Sequence, residues 1–226
     1  MAVNKGIFRG LFLVGLICLN LCVCFGDVFR YPCKTQPGKA SASLNEEEGV
    51  IGNDVVEFRF ICGKELKPVI FRDKVSSQEM ELDACDFFVI ETAKRGKIKS
   101  SEFEFANLAE IRKIEADAGS VREAGKFEGV EIFAELVNKQ AGLRVEWRLV
   151  LRDGSNYLRE FVKVKNTENL VGIESIQMLD LPGNEGEVMG ILAGSPLVCG
   201  TMFFGYENPN ARMEVVDPLA GLNLAE

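Results

Sequence analysis

Histidine is missing from all 226 residues of this chain, and its absence removes much familiar catalytic chemistry. Ser/His/Asp and Cys/His nucleophile arrangements, imidazole general bases and His-ligated zinc all need that ring. Cys33, Cys62, Cys85 and Cys199 are the cysteines beyond residue 26. None of them forms a CxxC pair, so thiolate zinc and dithiol redox sites have no spacing signal. The glycines of GNEGEVMG (Gly183, Gly186, Gly190) match neither GxGxxG nor a phosphate loop. No cofactor and no metal are expected. Carboxylates remain as acid/base groups, and Asp/Glu pairs at a suitable separation hydrolyse glycosides. With 34 acidic residues, spacing singles out no pair, and no catalytic residue is assigned.

Two features suit sugar contact. Trp147, the single tryptophan, has a flat apolar face that fits the C–H face of a pyranose. It stands on the apolar side of a strand, however, and a core role is the simpler reading. The second is the segment GSPLVCGTMFFGYENPNAR, residues 194–212. Pro209 stops a strand ladder and holds Asn208 extended. Tyr206, Glu207, Asn208 and Arg212 therefore gather at a strand end. Such a cluster suits a carbohydrate-binding rim or a domain interface; an ordered strand-to-loop transition is the plainer alternative.

The elements that must position these groups are strands. LRVEWRLVLRDGSNYLREFVKVKN, residues 143–166, alternates Leu143, Val145, Trp147, Leu149 and Leu151 with charged residues. That is the period of a strand with one buried face. Asp153-Gly154 supplies a hairpin turn, and the chain returns from Tyr157 to Lys165. Further strands are expected at 54–62, 69–72, 87–91, 129–138, 170–181, 189–193, 197–206 and 213–216, and a first edge strand at 27–32. Residues 93–97 (AKRGK) read as a solvated hairpin tip. Residues 34–49 read as an exposed connector, rich in Pro, Ser, Gly and Glu. Residues 101–119 read as a short helix or irregular structure, with Ser101 and Glu104 as a capping box, although Phe103, Phe105 and Ile111 could also serve a strand and loop. Turn residues between closely spaced strands, with no β-helix-β alternation, describe an all-β antiparallel sandwich or barrel with room for one short helix.

The amino terminus has the layout of a secretory signal peptide over residues 1–26. Lys5 and Arg9 precede a largely apolar run, and small residues stand near Gly26. The expected address is secreted or periplasmic, with a cell-surface location also open. The membrane would be met only through an uncleaved signal. Removing residues 1–26 takes the net charge from −8 to −10, with 24 basic against 34 acidic residues. So acidic a chain argues against nucleic acid, which is bound largely by neutralising phosphates. In a secreted chain the four remaining cysteines permit up to two disulfides; buried thiols are the alternative.

WRLVLRDGSNYLREFVKV, followed some thirty residues later by GSPLVCGTMFFGYENPNA, resembles the amino-terminal β-rich region of large secreted bacterial glycoside hydrolases. These proteins are related to α-galactosidases and endo-α-N-acetylgalactosaminidases, and some are labelled enterotoxin-like. The resemblance spans roughly residues 54–216. It implies a galactose-mutarotase-like β-supersandwich followed, in the family, by a (β/α)₈ barrel with the catalytic carboxylates. It also implies a carbohydrate partner of the galactoside type. Residues 27–53 would be an edge strand and linker, and residues 54–226 the sandwich domain. Glu226 leaves no room for a barrel of ~250 residues, so no family catalytic residue transfers to this sequence. True mutarotase chemistry would need histidines that this chain lacks. An amino-terminal fragment without its barrel, not catalytic by itself, is the expectation; a stand-alone secreted carbohydrate-binding or cell-surface protein is the alternative.

Overall fold

The computed structural model describes residues 35–167, 171–178, 186–192 and 194–207. The all-β antiparallel class holds. The first sheet runs in sequence order: β1 (Ser41–Leu44), β2 (Glu48–Gly52), β3 (Val56–Ile61), β4 (Lys67–Asp73) and β5 (Gln78–Glu81). Next come β6 (Phe88–Thr92) and β7 (Gly96–Lys99), then β8 (Glu104–Phe105) and β9 (Glu110–Ile114). The long central strands are β10 (Gly129–Asn138), β11 (Leu143–Arg152) and β12 (Arg159–Asn166). They are followed by β13 (Ile173–Met178), β14 (Glu187–Val188), β15 (Leu197–Cys199) and β16 (Met202–Phe204). The second sheet has the order β12-β11-β10, with β8 and β9 sharing the far edge of β10. The others are β13-β6-β7 and β14-β15-β16. Three of these four sheets are built mainly from strands consecutive in the chain. Such local meanders resemble propeller blades more than the crossing connections of a Greek-key sandwich.

The central hairpin is as expected. Leu143 pairs with Asn166 and Val150 with Arg159, and Gly154 turns the chain at φ 72°. β10 occupies residues 129–138, the range read from alternation. The basic tip at 93–97 closes the β6–β7 hairpin, with Gly96 at φ 68°.

Several expectations are corrected. Residues 34–49 are not just an exposed connector: they hold β1 and the start of β2, which complete the first sheet. No α-helix forms over 101–119, where β8 and β9 each pair with β10 instead. The side-chain cap lies at Glu102, whose carboxylate accepts from the Lys99 backbone N–H at 2.9 Å at the start of the short 3₁₀ turn Ser100–Glu102, and not at Ser101 and Glu104. The segment 197–206 is the β15–β16 hairpin rather than one strand, and residues 189–192 form no strand. The expected elements at 27–32 and 213–216, and the signal segment, lie outside the described residues.

An aromatic cluster joins three of the sheets. Trp147 on β11 is fully buried and meets Phe60 of β3 at 5.5 Å and Phe87, just before β6, at 4.8 Å between ring centroids. Both contacts are edge-on, a geometry that adds roughly 0.5–1.5 kcal/mol per pair beyond area burial. Trp147 is thus a core residue. Around it pack Ile51, Leu66, Leu82, Ile132, Leu136, Leu143 and Leu151, all fully buried.

The Phe60 ring lies over Gly49, its cross-strand partner on β2. A Cβ on Gly49 would stand 2.2 Å from the ring's Cζ. Gly49→Ala must therefore push Phe60 off Trp147, a change expected to cost about 1–3 kcal/mol. Denaturant unfolding of the variant checks this; an unchanged midpoint would show that the ring relocates freely.

Cys62, Cys85 and Cys199 are all buried and no disulfide joins any two of them. Of the two readings left by the sequence, buried thiols fits these three. Cys33 lies outside the described residues.

Candidate functional site

The second sheet turns one face to the core and the other outward. On the core side, Ile132, Ala134 and Leu136 of β10 face Leu149, Trp147 and Val145 of β11. The period of two sends the intervening residues outward. The registers then place Phe133, Arg148 and Phe161 in one row across β10, β11 and β12. Two strand spacings put the two rings about 10 Å apart.

Arginines hold this row in place. Arg112 of β9 stacks on Phe133 with its guanidinium 3.5 Å from the ring centroid. It also donates to Glu110 at 2.7 Å and lies 3.6 Å from Glu131. Arg148 and Arg159 both lie over Phe161, at 4.7 and 4.8 Å. Arg148 reaches Glu131 at 3.8 Å and Arg144 reaches Glu135 at 3.8 Å. Lys165 and Lys163 bind Glu146 and hold its carboxyl down to about 2. Each contact is individually weak at an exposed surface, but the rigid strands fix many of them in one plane. Beside the row, a shallow cavity of about 350 Å³ opens between Asn107, Leu108, Glu110, Arg112, Phe133 and Glu135.

Two of the four site residues expected from the sequence are described, and both touch other elements. The backbone N–H of Met178, at the end of β13, donates to the Tyr206 hydroxyl at 3.1 Å. The Glu207 carboxylate receives Arg159 at 2.6 Å and Arg122 at 2.8 Å. Tyr206 thus ties the chain beyond β16 to the third sheet, and Glu207 ties it to β12. Asn208 and Arg212 lie outside the described residues. Sequence reasoning did not bring out the Phe133–Arg148–Phe161 row. Alternation marks each as outward-facing, but their alignment depends on the registers of the β10–β11 and β11–β12 hairpins, which alternation alone does not set.

Beneath this face, the Trp147 indole N–H donates to Glu160 Oε1 at 2.8 Å. Glu160 pairs in register with Leu149. The residue as a whole is partly exposed on the edge strand, yet its carboxyl is enclosed. Burial pushes that carboxyl up to about 8, and the indole N–H pulls the other way. Among the described residues, no three Cys, Asp or Glu side chains stand together as a metal site.

Comparison of the chain with protein-family models, with curated proteins and with solved structures finds no match in any of the three.

Proposed function

We propose that the chain is a non-catalytic β-domain that engages carbohydrate as part of a secreted glycoside hydrolase-like protein. The observation that carries this reading is the Phe133–Arg148–Phe161 row, flanked by Glu131, Glu135 and Glu146 on rigid strands. Fixed charged groups suit the hydroxyls of sugars, and the two rings hold the Arg112, Arg148 and Arg159 guanidiniums in place for that contact. The resemblance carried by residues 147–164 and 194–211 points to galactosides. A second observation favours the accessory role over a stand-alone one. Met189, Ile191, Leu192 and Phe203 are exposed close together in sequence, within or beside the segment that carries the resemblance. A contiguous apolar patch formed by these side chains would mark a contact surface, and a catalytic barrel would be the partner.

A glycan array probed with the purified protein tests the carbohydrate reading. Retention of galactoside-type glycans is expected, with affinity falling at least ~10-fold in Phe161→Ala, which removes the ring that positions Arg148 and Arg159. Failure to retain any glycan would sink the carbohydrate half of the reading. Hydrolysis of an aryl α-galactoside, absent from a mock purification, would sink the non-catalytic half.

A further inference from the structure

We propose that Arg122 and Arg159 form a carboxylate-binding subsite for an acidic sugar, a uronic acid unit of a glycan, which the protein's own Glu207 occupies when no ligand is present. This rests on the carbohydrate reading above and adds the charge of the ligand to it.

The argument begins with orientation. Arg159 opens β12, opposite the buried Val150 of β11. Its guanidinium lies over Phe161, two residues along the same face, at 4.8 Å. Arg148 covers the same ring from the neighbouring strand. The Arg159 side chain is only 18% exposed, against 59% for Arg122 and 50% for Glu207. Arg159 is therefore the fixed member of the group. Stacking leaves the N–H donors in the guanidinium plane pointing away from the ring, in the fork geometry that fits a carboxylate.

The second donor comes from elsewhere. Arg122 precedes the short 3₁₀ turn Glu123–Lys126, a connection that joins β9 to β10. Its Nη1 meets the same Glu207 oxygen that Arg159 meets, at 2.8 and 2.6 Å. Two guanidiniums from separate elements thus converge on one carboxylate position. Glu207 shows that a carboxylate fits there with good hydrogen-bond distances.

Occupancy by Glu207 need not block a ligand. An ion pair at this exposure contributes little, because solvent screens it and ordering two long side chains opposes it. A ligand that brings its own carboxylate and also rests on the Phe133–Arg148–Phe161 row has more to gain from the site than Glu207 does. The surroundings agree in sign. Lys163 and Lys165 continue β12 on the same outward face, and Arg144 and Arg148 stand on β11. Glu131, Glu135 and Glu146 on the same face pair with Arg148, Arg144 and the two lysines, which leaves a small excess of basic residues there. An oligosaccharide crossing the strands would place its acidic unit at Arg159 and a neighbouring unit over the row.

Isothermal titration with digalacturonate, and with the matching neutral digalactoside, tests this on the purified full chain. Glu207→Gln removes the internal competitor and keeps the side chain's size. It is expected to bind digalacturonate roughly two- to fivefold more tightly than wild type. Arg159→Ala is expected to lose at least ~10-fold for digalacturonate, and Arg122→Gln, whose side chain covers no ring of the row, to weaken digalacturonate binding while changing neutral-ligand affinity less than about threefold. Thermal unfolding of each variant identifies any loss that comes from misfolding, and Arg122→Gln, at an exposed loop position, supplies a second reading that leaves the strands intact. Equal digalacturonate affinity in wild type, Glu207→Gln and Arg122→Gln would overturn the subsite. Binding of the neutral digalactoside without preference for the acidic one would overturn it too, and would leave the carbohydrate reading standing. Loss of binding to both ligands in wild type would overturn both.

Discussion

Glu160→Gln is expected to stabilise the protein at pH 7–9 and to leave it unchanged near pH 4. Burial raises the Glu160 carboxyl from 4.5 to about 8, against the downward pull of the Trp147 N–H. A raised folded-state value means that the folded protein holds a proton which the unfolded chain releases. Below pH 4.5 both states are protonated and the stability is whole. Between pH 4.5 and 8 the unfolded state gains from ionising and the fold cannot, so stability falls as pH rises. Above about 8 the folded state also ionises and the loss levels off. The full interval corresponds to an upper limit of about 5 kcal/mol. Glutamine carries no proton to lose, and its carbonyl can still accept from the indole. Denaturant unfolding of both proteins at pH 4, 5, 6, 7, 8 and 9 gives the comparison. Their difference should grow through the middle of that range, while the other titrating groups cancel. Parallel profiles would show that the carboxyl is hydrated in solution and that Trp147 holds no neutral acid.

The contrast between Glu160 and the strand around it shows what the sequence made legible. The hairpin 143–166 was readable because alternation, a β-rich return strand and Asp-Gly all point the same way. β10 was readable for the same reason. β1 and β2 were not: the Pro, Ser, Gly and Glu residues around them weigh toward a loop. What makes β2 a strand is pairing with β3, and the Phe60 ring covering Gly49, neither of which leaves a local trace. At 101–119 the spacing of Phe105, Leu108, Ala109 and Ile111 imitated a helix, while β10 recruited the segment as edge strands. The candidate site divides along the same line. Tyr206 and Glu207 stood out as polar groups at a strand end. Their contacts at Met178, Arg122 and Arg159 depend on tertiary placement. Glu160 gave no signal, because a glutamate on a strand is ordinarily solvated. Only its register opposite Leu149 carries it to the core side.

Asn53→Ala is expected to cost about 2–4 kcal/mol, an effect out of proportion to the atoms removed. Asn53 is buried, and its amide does three things at once. Oδ1 accepts from the N–H groups of Val55 and Val56 at 3.0 and 3.1 Å, shaping the turn from β2 into β3. Nδ2 donates to the Ser155 carbonyl at 2.7 Å, reaching the turn of the central hairpin. Nearby, Asp153 Oδ1 accepts from the Ala40 N–H, and the Gly154 N–H donates to the Gly38 carbonyl, both at 2.8 Å. The first sheet and the β11–β12 hairpin are therefore stitched together at one junction. Truncation leaves buried backbone groups without a partner, and each costs about 1–3 kcal/mol. Asn53→Asp separates the two roles. It keeps the acceptor and so the β2–β3 turn, but it sets a carboxylate oxygen against the Ser155 carbonyl. It should be at least as destabilising as alanine near neutral pH and recover as the pH falls and the acid is protonated. Hydrogen exchange supplies the structural readout. In Asn53→Ala, amides at 153–160 should exchange faster, because the hairpin turn has lost its anchor, whereas β10 amides keep their protection until global unfolding. Uniform acceleration across all strands would instead make Asn53 a general stability residue. The distinction bears on the binding face, since Arg159 and Phe161 begin the strand that this turn positions. A loosened turn should weaken ligand binding at that face even in conditions where the fold as a whole persists.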